Sequence, residues 1–117
     1  MDQETVSYIL TYHWHLLSEQ EKLILQHLLT TEKLMAVTAA SVRQRMQILS
    51  ARKGWLITDK QLLERLADGP DAFRYNTAVT VFNAHGREKL LNLCPRCGLL
   101  ARTPQARQCR HCGNDWH

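Results

Sequence analysis

The stretches Cys94-Pro95-Arg96-Cys97-Gly98 and Cys109-Arg110-His111-Cys112-Gly113 decide how this 117-residue chain is read. Each is a C-x2-C pair followed directly by glycine, and eleven residues separate them. Two tight turns of this kind can each present two thiolates from one side. That is an economical way to assemble four soft ligands around one metal ion, at metal–sulfur distances of about 2.3 Å. Glycine after the second cysteine permits the left-handed backbone such a turn often needs. The eleven-residue spacer is short for the pattern but allows a small hairpin. Rival chemistries are weaker. Disulfides suit small secreted domains, yet two symmetric C-x2-C-G turns are an unusual disulfide frame. A redox dithiol needs only one pair, near a βαβ unit. A tetrahedral iron site takes the same four thiolates and stays open beside zinc.

On these residues the segment resembles the zinc-ribbon family of four-cysteine modules, also called paired zinc knuckles, over roughly 90–117. The resemblance implies one structural Zn2+ held by Cys94, Cys97, Cys109 and Cys112. It implies little about function, since such modules bind nucleic acid, dock proteins or merely stabilise. With four cysteines present, His111 is superfluous as a ligand. His117 is terminal, and Trp116 is expected to cover a small core. A unit this small has little core of its own, so metal binding should supply most of its folding free energy.

Working outward, all four cysteines and the whole charge excess fall at one end. Residues 1–86 hold nine Lys/Arg and nine Asp/Glu, whereas 87–117 hold six against two. The chain therefore divides near Gly86 into a helical domain, 1–86, and a ribbon, 87–117. Zinc on four thiolates adds −2, which brings the ribbon from +4 to about +2. That field is modest for a dedicated DNA binder.

Residues 1–86 match no family by their motifs and read as about four helices, giving a mainly α fold with a C-terminal four-cysteine ribbon. Val6, Ile9, Leu10, His13 and Leu17 recur at helical steps, with Asp2 as the start. Ser18 and Glu21 form a capping box. No Gly or Pro interrupts Ser18 to Lys53, so one long helix is expected, with a break near Thr30-Thr31 and a stop at Gly54. Thr58 and Gln61 open a short helix to about Ala67, and Asp68-Gly69-Pro70 is a turn. Residues 71–85 mix helical and strand signals, and helix is preferred. Leu90-Leu91-Asn92-Leu93 reads as a strand entering the first knuckle.

Function classes narrow from here. No apolar run spans a membrane, and the acidic start, Met1-Asp2-Gln3-Glu4, suggests no secretory or mitochondrial leader; a cytoplasmic protein is expected. No nucleophile–base pairing, phosphate loop or HExxH motif is present, and four thiolates leave no open metal position. On a helix His13 and His15 would diverge by about 200° and could not share a metal. No enzyme and no small-molecule substrate are inferred. Leu17 to Lys22 opens like some DNA-reading helices, but no second helix follows at helix-turn-helix spacing. The expectation is a binding or adaptor protein whose Arg96, Arg102, Arg107 and Arg110 meet nucleic acid. The alternative is a protein-interaction or self-associating module in which the ribbon only clips the fold.

Overall fold

A computed structural model describes residues 1–117. It is mainly helical: α1 (Gln3–Tyr12), a 3-10 turn (Trp14–Leu16), α2 (Glu19–Ala36), α3 (Ala40–Arg52), α4 (Lys60–Glu64), α5 (Pro70–His85) and α6 (Arg87–Leu90). The chain divides into two compact units, one of 1–17 with 74–117 and one of 18–73. The border lies inside α5, and Gly86 falls within the first unit.

Unit one begins where Asp2 accepts the Thr5 amide at 2.8 Å, capping α1. Val6, Tyr8 and Ile9 are the buried face of this helix, Ile9 being fully enclosed. Ala78 and Val81 of α5 are buried as well, with Leu17, Leu90, Cys94, Leu100, Ala101 and Cys109. The segment 71–85, ambiguous by composition, is helical. Pro70 starts α5, where its missing N–H costs nothing. Thr80 donates its hydroxyl to Asn76 O at 2.8 Å, a bond that lets a β-branched residue sit within the helix. Gly86, at φ +85°, ends it.

Unit two contains the expected capping box, with the Glu21 amide on Ser18 Oγ at 3.2 Å and the Ser18 amide on Glu21 Oε1 at 2.8 Å. The long helix is broken elsewhere than expected. Thr30 and Thr31 donate their hydroxyls to Gln26 O (2.8 Å) and Leu28 O (3.0 Å), so α2 runs straight through them. It ends at Ala36, because Val37 and Ala39 adopt extended backbone. The Arg43 guanidinium then reaches back to Val37 O, 3.1 Å from Nε, satisfying a carbonyl the helix leaves behind. After α3, Gly54 N–H meets Ala51 O (3.1 Å) and Trp55 N–H meets Ser50 O (3.0 Å), a Schellman stop with Gly54 at φ +73°. The next helix starts one residue later than the Thr58 motif suggests: Asp59 accepts the Gln61 amide at 2.8 Å and caps α4.

Two further expectations change. The helices number six, because the long one divides and α6 adds a turn after Gly86. Leu90 belongs to that turn, and the knuckles carry no strand, only the isolated bridges Leu93–Leu100 and Gln108–Asp115.

Candidate metal centre

The two knuckles are built by one set of backbone bonds used twice, fifteen residues apart. Cys94 N–H bonds Leu99 O (2.9 Å), as Cys109 N–H bonds Asn114 O (2.8 Å). Gly98 N–H returns to Cys94 O (2.9 Å), as Gly113 N–H returns to Cys109 O (3.0 Å). Ala101 N–H meets Asn92 O (2.8 Å), as Trp116 N–H meets Arg107 O (2.9 Å). Gly98 and Gly113, at φ +74° and +78°, turn each knuckle through the left-handed region. Asn92 Nδ2 also donates to Thr103 O (2.9 Å) and Ala106 O (2.8 Å), tying down the connection between them.

Each turn aims amides at its first sulfur. Arg96 N–H and Cys97 N–H lie 3.4 Å from Cys94 Sγ, and His111 N–H and Cys112 N–H lie 3.3 and 3.4 Å from Cys109 Sγ. Asn114 Nδ2 adds a weaker approach to Cys94 Sγ at 3.9 Å. These donors hold negative charge on sulfur. Cys94 and Cys109 are buried, each 2% exposed, whereas Cys97 and Cys112 face outward.

The four sulfurs lie within 4.8 Å of one another, with Cys94–Cys112 at 3.7 Å and Cys97–Cys109 at 3.5 Å. A sulfur tetrahedron with bonds of about 2.3 Å has edges of about 3.8 Å, so the cluster fits a single tetrahedral ion. No disulfide joins any of the four cysteines. The thiols titrate unevenly. Burial pushes Cys94 up, but the Cys97 and Arg96 amides, with hydrogen bonds from Cys112 and Cys97, outweigh it and bring it down to about 6. Amides of Cys112 and His111 likewise lower Cys109, against burial. At Cys97 the Leu99 amide pulls the thiol down, but burial and the neighbouring sulfurs Cys109, Cys94 and Cys112 push it up to about 12. Cys94 is thus poised as a thiolate while Cys97 retains its proton, and a cation bound here displaces protons from the set.

The knuckles are anchored within unit one. His13 Nε2 donates to Leu90 O at 2.7 Å, just before the first knuckle, and Glu4 of α1 forms an ion pair with Arg110 of the second. Leu100 and Ala101 are buried, and Leu100 lines a depression with Thr5 of α1 and Tyr75, Val79 and Phe82 of α5. The arginines separate into a group and an outlier. Arg102, Arg107 and Arg110 line one depression of about 520 Å³ with Gln105 and His117; Arg96 stands exposed on the first knuckle, outside it. Sequence reasoning had no means of seeing this grouping, because the three residues are spread over nine positions.

His111 is exposed and outside the sulfur cluster. His13 and His15 do not diverge as they would on one helix. The chain leaves α1 at Tyr12 and tightens into the 3-10 turn, which brings their rings to 6.0 Å. They line a second depression with His85, but the only His/Cys/Asp/Glu group with metal-binding geometry is the cysteine cluster. No helix is long and apolar enough to cross a membrane.

The fold and site thus define a mainly helical protein with four cysteines positioned to bind one metal ion. No protein-family model, curated protein or solved structure matches the chain.

Proposed function

We propose that this is a non-enzymatic adaptor whose paired knuckles, clamped by one zinc ion, present an arginine-lined depression to nucleic acid. Zinc supplies no turnover chemistry in such a site; it cross-links the knuckles with four thiolates and leaves no position for water. The residues that hold it are Cys94, Cys97, Cys109 and Cys112. Amides at Arg96, Cys97, His111 and Cys112 orient the buried sulfurs and offset their charge.

The observation that carries the nucleic-acid reading is the convergence of Arg102, Arg107 and Arg110 on one depression. Guanidinium groups grouped this closely suit phosphate oxygens, which accept their forked donors in pairs. Glu4 holds Arg110 in place and offsets part of its charge, so Arg102 and Arg107 are the main contacts.

Fluorescence anisotropy with a labelled 20-base-pair duplex and a 20-nucleotide RNA tests this reading. Three phosphate contacts on duplex DNA predict an affinity that falls about 40-fold between 50 and 200 mM salt, and each arginine removed flattens the salt slope by about 0.9. Arg102→Ala with Arg107→Ala should weaken binding well beyond Arg96→Ala. No binding at low salt refutes the reading. It leaves the second one, which the shared core and the Glu4–Arg110 pair favour: a zinc clip that closes unit one, with partners engaged elsewhere.

A further inference from the structure

The neutral sum over 1–86 conceals a segregated charge. Between Glu32 and Asp59 there is no acidic residue, yet the interval holds Lys33, Arg43, Arg45, Arg52 and Lys53. The rest of unit two leans acidic on both sides, with Glu19, Glu21 and Glu32 before the interval and Asp59, Glu64, Asp68 and Asp71 after it. The basic interval is centred on α3, and α3 is poorly covered. Ser50 is its only buried residue, while Val42, Ile48 and Leu49 are nearly half exposed, and Met35 just before it is 83% exposed.

The pattern on the helix is specific. Residues seven apart share a row, so Val42 aligns with Leu49 and Arg45 with Arg52. At about 100° per residue, the arginine row lies between the Val42–Leu49 row and Ile48. Arg45 and Arg52 are both exposed, whereas Arg43 is turned away to Val37 O. A line of guanidinium groups is therefore bordered on both sides by aliphatic side chains.

Each class of occupant meets this pattern differently. A symmetric contact with a second copy would set Arg45 and Arg52 against the same cations, and like charges placed together are costly. Nucleic acid would satisfy the guanidinium row but leave Val42, Ile48 and Leu49 facing phosphate and sugar. A bilayer surface suits helices whose apolar side is continuous and whose cations lie opposite it, and here the cations run down the middle. A protein segment with carboxylates in one row and aliphatic residues on both sides matches the charge and the apolar borders together. The geometry points to α3 as a docking surface for an acidic amphipathic segment of a partner protein, read by Arg45 and Arg52 and gripped through Val42, Leu49 and Ile48.

The test uses the full metal-loaded chain and three labelled probes. These are a helical 18-residue peptide of glutamate and leucine at i, i+3 and i+4 spacing, the same peptide with serine for leucine, and a 20-base-pair DNA duplex. The Glu/Leu peptide should bind, and its affinity should fall at least tenfold with Arg45→Ala plus Arg52→Ala. A similar fall is expected with Val42→Ser plus Leu49→Ser, or with the serine peptide, while Arg96→Ala leaves binding unchanged. All four substituted α3 side chains are exposed, and an unaltered circular dichroism spectrum excludes unfolding as the cause. Failure of the Glu/Leu peptide to bind in 50 mM salt overturns the inference. So does indifference to the Val42/Leu49 pair, and so does DNA binding that depends on Arg45 and Arg52 as strongly as the peptide does. These residues lie outside the knuckles, so loss of ribbon-dependent DNA binding would leave this result standing.

Discussion

Removing the metal should unfold more than the knuckles. Cys94 and Cys109 belong to the same buried set as Ile9 of α1, Val81 of α5, Leu90 and Leu100. Two polar ties, His13 to Leu90 O and Glu4 to Arg110, also join α1 to the knuckle segment. A unit of about 60 residues has a total stability of about 3–9 kcal/mol, at 0.05–0.15 kcal/mol per residue. A structural zinc contributes about 10–16 kcal/mol at neutral pH. Stripping the ion therefore exceeds the whole stability of unit one, and α1 should open together with the knuckles. Unit two, 18–73, holds no metal ligand and should persist. Cys94→Ser should reproduce the effect, because serine replaces a buried sulfur that two backbone amides face. Hydrogen exchange read by mass spectrometry, before and after chelation, checks this. Peptides from 3–12 and 90–117 should lose protection together, with release of one zinc per chain, while 19–36 keeps its protection. If α1 stays protected in the metal-free chain, the knuckles are an independent appendage and the coupling is wrong. If 19–36 is lost as well, the two units do not fold separately.

Two further outcomes follow from local geometry. His27 accepts the Ile57 amide on Nδ1 at 2.9 Å, and burial lowers its pKa from 6.5, so protonation breaks the bond. On acidification the unfolded chain takes the proton first. The contribution to stability is complete above pH 6.5 and is lost as pH falls through the folded value below it. Unit two should therefore lose melting temperature from pH 7.5 to 5.5, and His27→Asn should flatten that slope; an unchanged slope refutes the role. Gly98→Ala and Gly113→Ala meet no atom within 4 Å, so each should cost only the left-handed penalty of about 1–2 kcal/mol. The two costs should be equal, and a zinc-competition titration showing a much larger loss at either would reveal a clash the structure lacks.

Elements with a chemical signature were legible in the sequence, and those set by tertiary context were not. The four cysteines, the Asp2 start, the Ser18–Glu21 box and the Gly54 stop each follow from local rules, and the structure has all of them. The break after α2 had no Gly or Pro to announce it. The β-branched rule that pointed to Thr30-Thr31 applied equally to Val37-Thr38, and hydroxyl bonds to Gln26 O and Leu28 O decided between them. The His13–His15 geometry depended on where α1 ends. The depression at Arg102, Arg107 and Arg110 depended on how the connection folds over the second knuckle.

The fifteen-residue repeat explains why the cationic depression has no twin. The backbone bonds recur from one knuckle to the other, but the side chains do not: Asn92, Pro95 and Arg102 correspond to Arg107, Arg110 and His117. At the first knuckle Asn92 is spent on Thr103 O and Ala106 O, and Pro95 brings no charge, so that copy binds the connection rather than a partner. At the second knuckle the equivalent positions are arginines, and Arg102 arrives from the connection that Asn92 holds. One copy of the repeat therefore fixes the loop that completes the surface of the other. This dependence runs through Asn92, so net charge cannot predict it: Asn92→Ala removes no cation, yet it should release the segment that carries Arg102.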